Sequence, residues 1–270
     1  MATAPNKSAQ TPTTSSCNAL GDPSQSLQTF DLLDLQHYKK ERFYSSTASR
    51  DFHLFYVGRD DVHNILKHVL SRCSISLYLN MFGFDDDELN DILMAKVLDP
   101  HIVMLITLDK SQAGGKHERA LLDSDAGKDP IGFGTHFVVG QSSTHQISHT
   151  KGFVADGRVG GEGSTNWSRS GEGTFLLSGQ PGGPGYKAQN NTQTIFTDQD
   201  TISRFQAELI EEHMTAQTQA SQAKTAQVKA AEGQVAVAQG QVAVAHAQVA
   251  QAHVAQAHAA PPPGGAVKKS

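Results

Sequence analysis

The sequence contains few of the residues that build disulfide-stabilised or membrane-spanning proteins. Its 270 residues include two cysteines, Cys17 and Cys73. Two cysteines do not form a disulfide framework, and Cys73, at the end of a helical pattern, is predicted to be a small buried hydrophobic residue. No apolar run is long enough to span a membrane, and the first residues lack the basic and apolar regions of a secretory signal. We therefore expect a cytoplasmic protein without disulfides, while export by a route that uses no cleaved signal stays open.

The chain also lacks an excess of positive charge. It has 22 Lys and Arg residues against 27 Asp and Glu residues, which gives a net charge of -5 and a pI near 6.2. Nonspecific binding of nucleic acids usually draws on a basic surface. The charge of the whole chain therefore argues against such binding, although a local groove with Lys110, Lys116, Lys151 and Arg158 would still serve.

Both ends of the chain have a biased composition. Residues 1–26 are rich in Thr, Ser, Pro, Ala and Gln and have no apolar periodicity, which predicts a disordered arm. Residues 215–260 are rich in Ala, Gln and Val, and the proline- and glycine-containing residues 261–270 predict a disordered tip. One folded domain is therefore predicted over residues 27–214.

Strands and helices alternate within this predicted domain. Strands are predicted at 51–57, 74–84, 101–109, 132–139, 144–155 and 190–196, and helices at 27–42, 60–73, 85–99, 116–119 and from 200 to 214. The almost wholly apolar run 101–109 is typical of a sheet that is covered on both faces. Asp85 is predicted to cap its helix, and the acidic residues after it to complement the helix dipole rather than to bind a metal ion. The alternation predicts an α/β fold with an α/β/α layered arrangement.

One short stretch combines several groups that handle phosphate. His149 and Lys151 are two residues apart, so in a strand they share one face. An imidazole nitrogen attacks phosphorus or donates a proton near neutral pH, and a lysine ammonium suits a non-bridging phosphate oxygen. Ser164 and Asn166, in a glycine-rich turn, offer neutral donors to an anion, whereas Trp167 after the turn is predicted to be a packed aromatic. None of these groups requires a metal ion or another cofactor.

The spacing of these residues resembles the signature of the phospholipase D superfamily, which is H-x-K-x4-D followed after six residues by G-S-x-N. The matching residues are His149, Lys151, Asp156, Gly163, Ser164 and Asn166. The resemblance implies a phospholipase D-like α/β/α layered mixed sheet. It also implies that His149, Lys151 and Asp156 are catalytic, with Asp156 in a supporting role, and that Lys151, Ser164 and Asn166 bind the substrate phosphate.

The complete signature occurs once in the chain. In-line displacement through a phosphohistidine needs a nucleophile on one side of phosphorus and a proton donor on the other, and one His149 cannot supply both. The resemblance implies that two copies of the motif pair, so we expect a homodimer with its active site across a twofold interface. Members of the family usually carry an acidic residue before the next strand that orients the histidine. Asn190 or Asn191 stands at that place here and supplies an amide instead.

Three functions remain open at this point. Small single-motif members of the family resemble endonucleases, so the first is metal-independent hydrolysis of DNA or RNA phosphodiester bonds. The second is a phospholipase D or cardiolipin-type lipid phosphodiesterase, which an amphipathic interfacial helix would favour, and no segment with that pattern stands out. The third is a non-catalytic assembly protein on the same fold, with the tail as its interaction element.

The tail contains a heptad repeat. A Gln-Val pair recurs every seven residues, and an alanine follows each valine by three positions. This pattern predicts a helix with a valine and alanine seam, which would mediate further oligomerisation as a loose coiled coil. Gly233 and Gly240 each oppose the helix by about 1 kcal/mol relative to alanine. His246, His253 and His258 suggest metal binding, but no sulfur or carboxylate ligand accompanies them, so no metal site is predicted.

Overall fold

The computed structural model describes residues 27, 30–40, 49–109, 112, 114–125, 137–140, 149–178 and 184–259. The predicted arm at 1–26, the predicted tip at 261–270 and the groove residue Lys110 lie outside the described residues. Contacts divide the chain into two units, Met1–Thr218 and Gln219–Ser270.

A seven-stranded mixed sheet forms the centre of the first unit. Its strands are β1 (Phe52–Tyr56), β2 (Ser76–Met81), β3 (Val103–Asp109), β4 (Phe137–Gly140), β5 (Lys151–Ala155), β6 (Val159–Gly163) and β7 (Thr192–Phe196). They lie in the order β1-β7-β6-β5-β2-β3-β4. Strands β2, β3 and β4 are parallel to one another, whereas β5 is antiparallel to β2, and β5, β6, β7 and β1 pair as antiparallel neighbours. The predicted mixed α/β sheet is confirmed.

The helices follow the apolar periodicity of the sequence. They are α1 (Val62–Arg72), α2 (Asp87–Leu98), α3 (Lys116–Asp125), α4 (Arg169–Glu172), α5 (Thr174–Ser178) and α6 (Gln199–Ala259). The apolar residues at helical spacing on one face of α1 and of α2 are buried. They are Val62, Ile65, Leu66, Val69 and Leu70 in α1 and Leu89, Ile92, Leu93 and Val97 in α2. The prediction that Asp85 caps α2 is wrong, because Asp86 accepts a hydrogen bond from the Leu89 N–H at 2.9 Å, so the cap lies one residue later than predicted.

Two other segments differ from their predicted structure. The helix predicted at 27–42 is a short 3-10 helix, Leu32–Tyr38, in which Leu32 and Leu35 are buried and Asp31 forms the N-terminal cap. Strand β6 was not predicted. It forms because Asp156 and Gly157, with φ angles of 54° and 61°, make a tight turn back from β5. The Asp-Gly pair is the sequence signal for such a hairpin.

Helices cover both faces of the sheet. Phe153 on β5 points into the larger core, which it shares with residues of α1 and α2, while its neighbour Val154 points to the other face, where Phe196, Ile202 and Leu209 pack. Glycines in β5 and β6 make room for aromatic rings on this second face. A Cβ atom at Gly160 would lie 2.1 Å from the Phe196 ring. The predicted α/β/α layering is confirmed.

Helix α6 continues without interruption to Ala259, which confirms the helical tail. The four valines of the heptad seam are 51 to 56% exposed, so the seam is uncovered. They are Val228, Val235, Val242 and Val249. Within the described residues, no helix is both long enough and apolar enough to cross a membrane. Cys73 is buried, as predicted.

Candidate functional site

The two halves of the signature meet where the central strands end, and this side of the sheet, formed by strand ends, is called its edge below. Lys151, the first residue of β5, pairs with Met81, the last residue of β2. Because β5 and β6 form an antiparallel hairpin, the end of β6 at Gly163 returns to the same edge, where it pairs with Gln193 of β7. The hairpin therefore brings the histidine and lysine close to the turn that carries Ser164 and Asn166.

Lys151 is a buried cation beside His149. Its side chain is almost fully buried, with the residue 3% exposed. The Nζ atom donates to the backbone oxygen of His149 at 2.8 Å and lies 3.1 and 3.2 Å from the two ring nitrogens. It also lies 5.0 Å from the centroid of the Phe82 ring. Burial lowers the pKa of Lys151.

Among the residues that the structure describes, no carboxylate forms an ion pair with Lys151. An unpaired ammonium group out of water is costly, and an anion that reaches it recovers that cost. The position therefore suits the non-bridging oxygens of a phosphate group.

His149 is accessible, in contrast to Lys151. The residue lies just before β5 and is exposed. Its ring packs on Phe82 with ring centroids 4.6 Å apart and an interplanar angle of 54°. Phe82 and Lys151 together hold the imidazole at the edge of the sheet, while the exposed side of the ring is open to a substrate or a partner.

Asn166 lies beside a cavity next to this pair. The cavity has a volume of about 470 Å³, and Phe82, Gly83, Asn166 and Glu118 are among its lining residues. The Oδ1 atom of Asn166 is buried and has no hydrogen-bond partner in the described part of the chain. A Cβ atom at Gly83 would lie 3.2 Å from Cγ and Oδ1 of Asn166, so glycine permits this close approach. Burial raises the pKa of Glu118, which favours its uncharged form beside an anion.

Trp167 holds the turn against the end of β2. The backbone N–H of Trp167 donates to the backbone oxygen of Gly83 at 2.9 Å, and the backbone oxygen of Trp167 accepts from the Asp85 N–H at 2.6 Å. The indole is 1% exposed and packs edge-on against Phe84 and Phe153. The predicted role of Trp167 as a packed aromatic is confirmed.

Ser164 and Asn191 bond to each other. The Ser164 hydroxyl donates to Oδ1 of Asn191 at 3.1 Å and accepts from the Thr192 N–H at 3.0 Å. The amide nitrogen of Asn191 donates to the Gly171 oxygen at 3.0 Å. Asn190 is exposed. The Asn191 side chain therefore supports the Ser164 turn, and the phosphate-binding role of Ser164 stays a prediction.

Asp156 lies at the opposite end of β5 from His149. Its carboxylate accepts from three consecutive backbone N–H groups, those of Ser74, Ile75 and Ser76, at 2.8 to 3.1 Å. The five residues of β5 span about 16 Å, so this carboxylate is remote from Lys151. Its contacts join the loop before β2 to the turn after β5, and a catalytic role for Asp156 stays a prediction.

The prediction that Arg158 belongs to the basic groove is wrong. Arg158 is exposed in the turn between β5 and β6, beside Asp156, because the strand carries the chain away from Lys151. The Lys116 side chain is 83% exposed and lies 3.8 Å from Asp87. Arg158 therefore does not border the edge where Lys151 lies.

A second His-x-Lys triplet, His37–Lys39, lies at the end of the 3-10 helix. The His37 ring packs on the Tyr38 ring, with centroids 3.8 Å apart. No aspartate and no Gly-Ser-x-Asn sequence follow this triplet at the signature spacing, so the complete signature is present once.

Sequence reasoning did not detect a buried group formed by His63, Asp86 and Glu172. Nδ1 of His63 hydrogen-bonds Glu172 and lies 3.6 Å from Oδ2 of Asp86. Burial raises the pKa of Glu172 to about 7, against the effect of the His63 bond. Burial opposes a charge on His63, but Glu172 and the other carboxylates raise its pKa. The three residues are far apart in sequence, so no local pattern connects them.

The fold is similar to several solved structures at low sequence identity. Nuc from Salmonella typhimurium, described as a phospholipase D family member, is 13% identical over 60% of this chain and 92% of that chain, with a TM-score of 0.40. NucT from Helicobacter pylori is 15% identical over 61% and 96%, with a TM-score of 0.45. Phosphatidylserine synthase from Haemophilus influenzae is 12% identical over 63% of this chain but 37% of its own length, with a TM-score of 0.42.

No family model matches the chain, and no curated protein does. The likenesses to solved structures are distant and do not establish a function for this chain.

Proposed function

We propose that the protein is a metal-independent phosphodiesterase, specifically an endonuclease, that acts through a phosphohistidine on His149. The observation that carries this proposal is the buried Lys151 ammonium group against the ring of the exposed His149, with no carboxylate partner in the described part of the chain. A phosphodiester would supply the missing negative charge and place its phosphorus next to an imidazole nitrogen.

The reaction proceeds in two displacements. A neutral ring nitrogen of His149 attacks phosphorus in line, and the bond to the leaving oxygen breaks as that oxygen takes a proton from a second imidazole. Water then gives a proton to the second imidazole and attacks phosphorus, which breaks the phosphorus–nitrogen bond and releases a phosphate monoester. Lys151 binds the non-bridging oxygens throughout. Because Oδ1 of Asn166 is buried beside Gly83, the amide nitrogen of Asn166 is the group left to donate to them.

The second imidazole is the partner's His149 in a homodimer formed through this edge of the sheet. Two observations support the dimer. The chain carries one complete signature. Among the described residues, moreover, no side chain other than Lys151 contacts the His149 ring as a possible proton donor, and Lys151 is assigned to the phosphate oxygens. A twofold axis near His149 would bring both copies of the signature to one phosphate.

A nucleic acid fits this site better than a phospholipid does. The cavity beside Asn166 has mixed walls, which include the partly exposed ring of Phe82 and polar groups such as Ser168. Aromatic side chains at a phosphate-binding edge stack on bases, whereas a lipid phosphodiesterase also needs an apolar surface that enters the membrane interface.

The proposal is tested by assaying hydrolysis in EDTA with labelled single-stranded DNA, double-stranded DNA, RNA and cardiolipin-containing vesicles. The wild type is compared with His149→Ala, and His101→Ala is the matched control because His101 is exposed and outside the site. Circular dichroism at the assay temperature verifies that each protein is folded.

We expect cleavage of nucleic acid by the wild type and the control, and a loss of at least about a thousandfold in His149→Ala. Release of a lipid head group instead would favour the lipid phosphodiesterase. Equal activity in His149→Ala, or no activity on any substrate, would overturn the proposal, and the second result would favour the assembly protein.

A further inference from the structure

The group His63, Asp86 and Glu172 has the composition of a metal site. The three residues come from α1, from the cap of α2 and from α4. Each offers one ligand atom, and these atoms lie within 4.8 Å of one another. The residues are 6%, 3% and 1% exposed, so the group is enclosed by protein.

The group holds more carboxylates than cations. Two buried carboxylates face one imidazole, so when both are ionised a protonated His63 neutralises only one of them. Lys67 pairs with the exposed Glu88 instead. Oε1 of Glu172 is also buried without a hydrogen-bond partner among the described residues. A buried carboxylate oxygen with no partner is costly, and a divalent cation would remove both deficits.

The distances permit a small tetrahedral ion. Ligand atoms around zinc, with bonds of about 2.0 to 2.2 Å, lie about 3.3 to 3.6 Å from one another. Nδ1 of His63 and Oδ2 of Asp86 are 3.6 Å apart, as this geometry requires. Nδ1 and the Glu172 carboxylate are closer, since they hydrogen-bond, and a shift of about 1 Å of one side chain admits an ion.

Two of the three proposed ligands, His63 and Asp86, also contact a group that would orient them toward the ion. Nε2 of His63, which would face away from the ion, lies 3.6 Å from the Glu88 carboxylate. Oδ1 of Asp86 accepts the Leu89 N–H at 2.9 Å, which leaves Oδ2 for the ion. Metal-binding histidines commonly donate their second N–H to a carboxylate, and ligating carboxylates are themselves hydrogen-bonded.

We propose that His63, Asp86 and Glu172 bind one divalent metal ion of the zinc type, with a water molecule as the fourth ligand. The ion would tie α1, the start of α2 and α4 together behind the Asn166 turn. Glu172 lies close to that turn, because its N–H donates to the oxygen of Ser168, the N-cap of α4, at 2.8 Å. The ion takes no part in the chemistry at His149, and the proposal does not depend on the proposed function.

The test uses the full chain after it has been stripped with a chelator. Zinc is titrated by calorimetry, cobalt is titrated by visible absorption, and thermal unfolding is followed with and without zinc. We expect one ion per chain, tetrahedral cobalt bands, and an unfolding midpoint that rises by about 5 to 10 °C at a hundredfold excess over Kd.

Two near-isosteric variants remove ligand charge and keep the local hydrogen bonds. Glu172→Gln still bonds His63, and Asp86→Asn still caps α2. Each should weaken zinc binding at least about tenfold and change the cobalt spectrum. A variant with both His246→Gln and His253→Gln removes exposed histidines of the tail and should bind zinc like the wild type.

Three results would overturn the proposal. The first is a stripped wild type that binds no zinc. The second is unchanged affinity and an unchanged cobalt spectrum in both Glu172→Gln and Asp86→Asn. The third is loss of binding in the tail variant, which would place the ion at the tail histidines.

Discussion

Replacing Asp156 should destabilise the domain without removing its chemistry. The carboxylate accepts three backbone N–H groups from the loop before β2, at 2.8 to 3.1 Å. Hydrogen bonds to a charged group contribute about 1.5 to 3 kcal/mol each, but here water reaches part of the loop and the bonds share one acceptor group. The φ angle of 54° adds about 1 kcal/mol of strain when the residue is alanine. We therefore expect Asp156→Ala to lower the free energy of unfolding by about 3 to 4 kcal/mol.

Two further variants separate these contributions. Asp156→Asn keeps one acceptor oxygen and tolerates the positive φ angle, so it should cost about 1 to 2 kcal/mol. Asp156→Gly removes the carboxylate and the strain together, and it should be about 1 kcal/mol more stable than Asp156→Ala. Urea unfolding, followed by circular dichroism, gives all three values.

The activity of the folded variants decides between a structural and a catalytic role. At a temperature where Asp156→Asn is folded, its kcat should be within about threefold of the wild-type value, because Asp156 is about 16 Å from Lys151. A loss of more than about a hundredfold at unchanged stability would refute this reasoning and support the catalytic role that the signature implies.

Three further predictions concern packing, pH and assembly. Gly160→Ala should cost about 1 to 3 kcal/mol because its Cβ would meet the Phe196 ring, whereas Gly233→Ala, in open space on α6, should raise helicity; thermal unfolding by circular dichroism measures both. Burial lowers the pKa of His68 to about 4. Because the unfolded chain then binds the proton more tightly, the free energy of unfolding falls as the pH drops from ~6.5 toward 4. The full shift corresponds to about 3 kcal/mol, and the partial exposure of the ring reduces the expected loss to about 2 kcal/mol. Urea titrations should show a smaller loss in His68→Gln, and an equal loss would contradict the assignment. Activity per chain should fall on dilution in parallel with the dimer fraction from sedimentation, and a rate that stays proportional to protein concentration in monomeric samples would contradict the shared site.

Local patterns were enough to predict most of the helices and strands. The inward faces of α1 and α2 follow from apolar residues at helical spacing, and the apolar run of β3 indicated a sheet covered on both faces. The signature likewise predicts His149, Lys151 and Asn166 as site residues. Each of these predictions depends on residues that lie within about twenty positions of one another, so the chain itself carries the signal.

Contacts between distant segments decided the rest. The burial of Lys151 depends on Phe82, about seventy residues earlier, and the contacts of Asp156 depend on the loop before β2. The group of His63 and Glu172 joins residues 109 positions apart. Such contacts form because the antiparallel hairpin of β5 and β6 is inserted next to β2, and the sequence period of a strand or helix does not specify which strand becomes its neighbour.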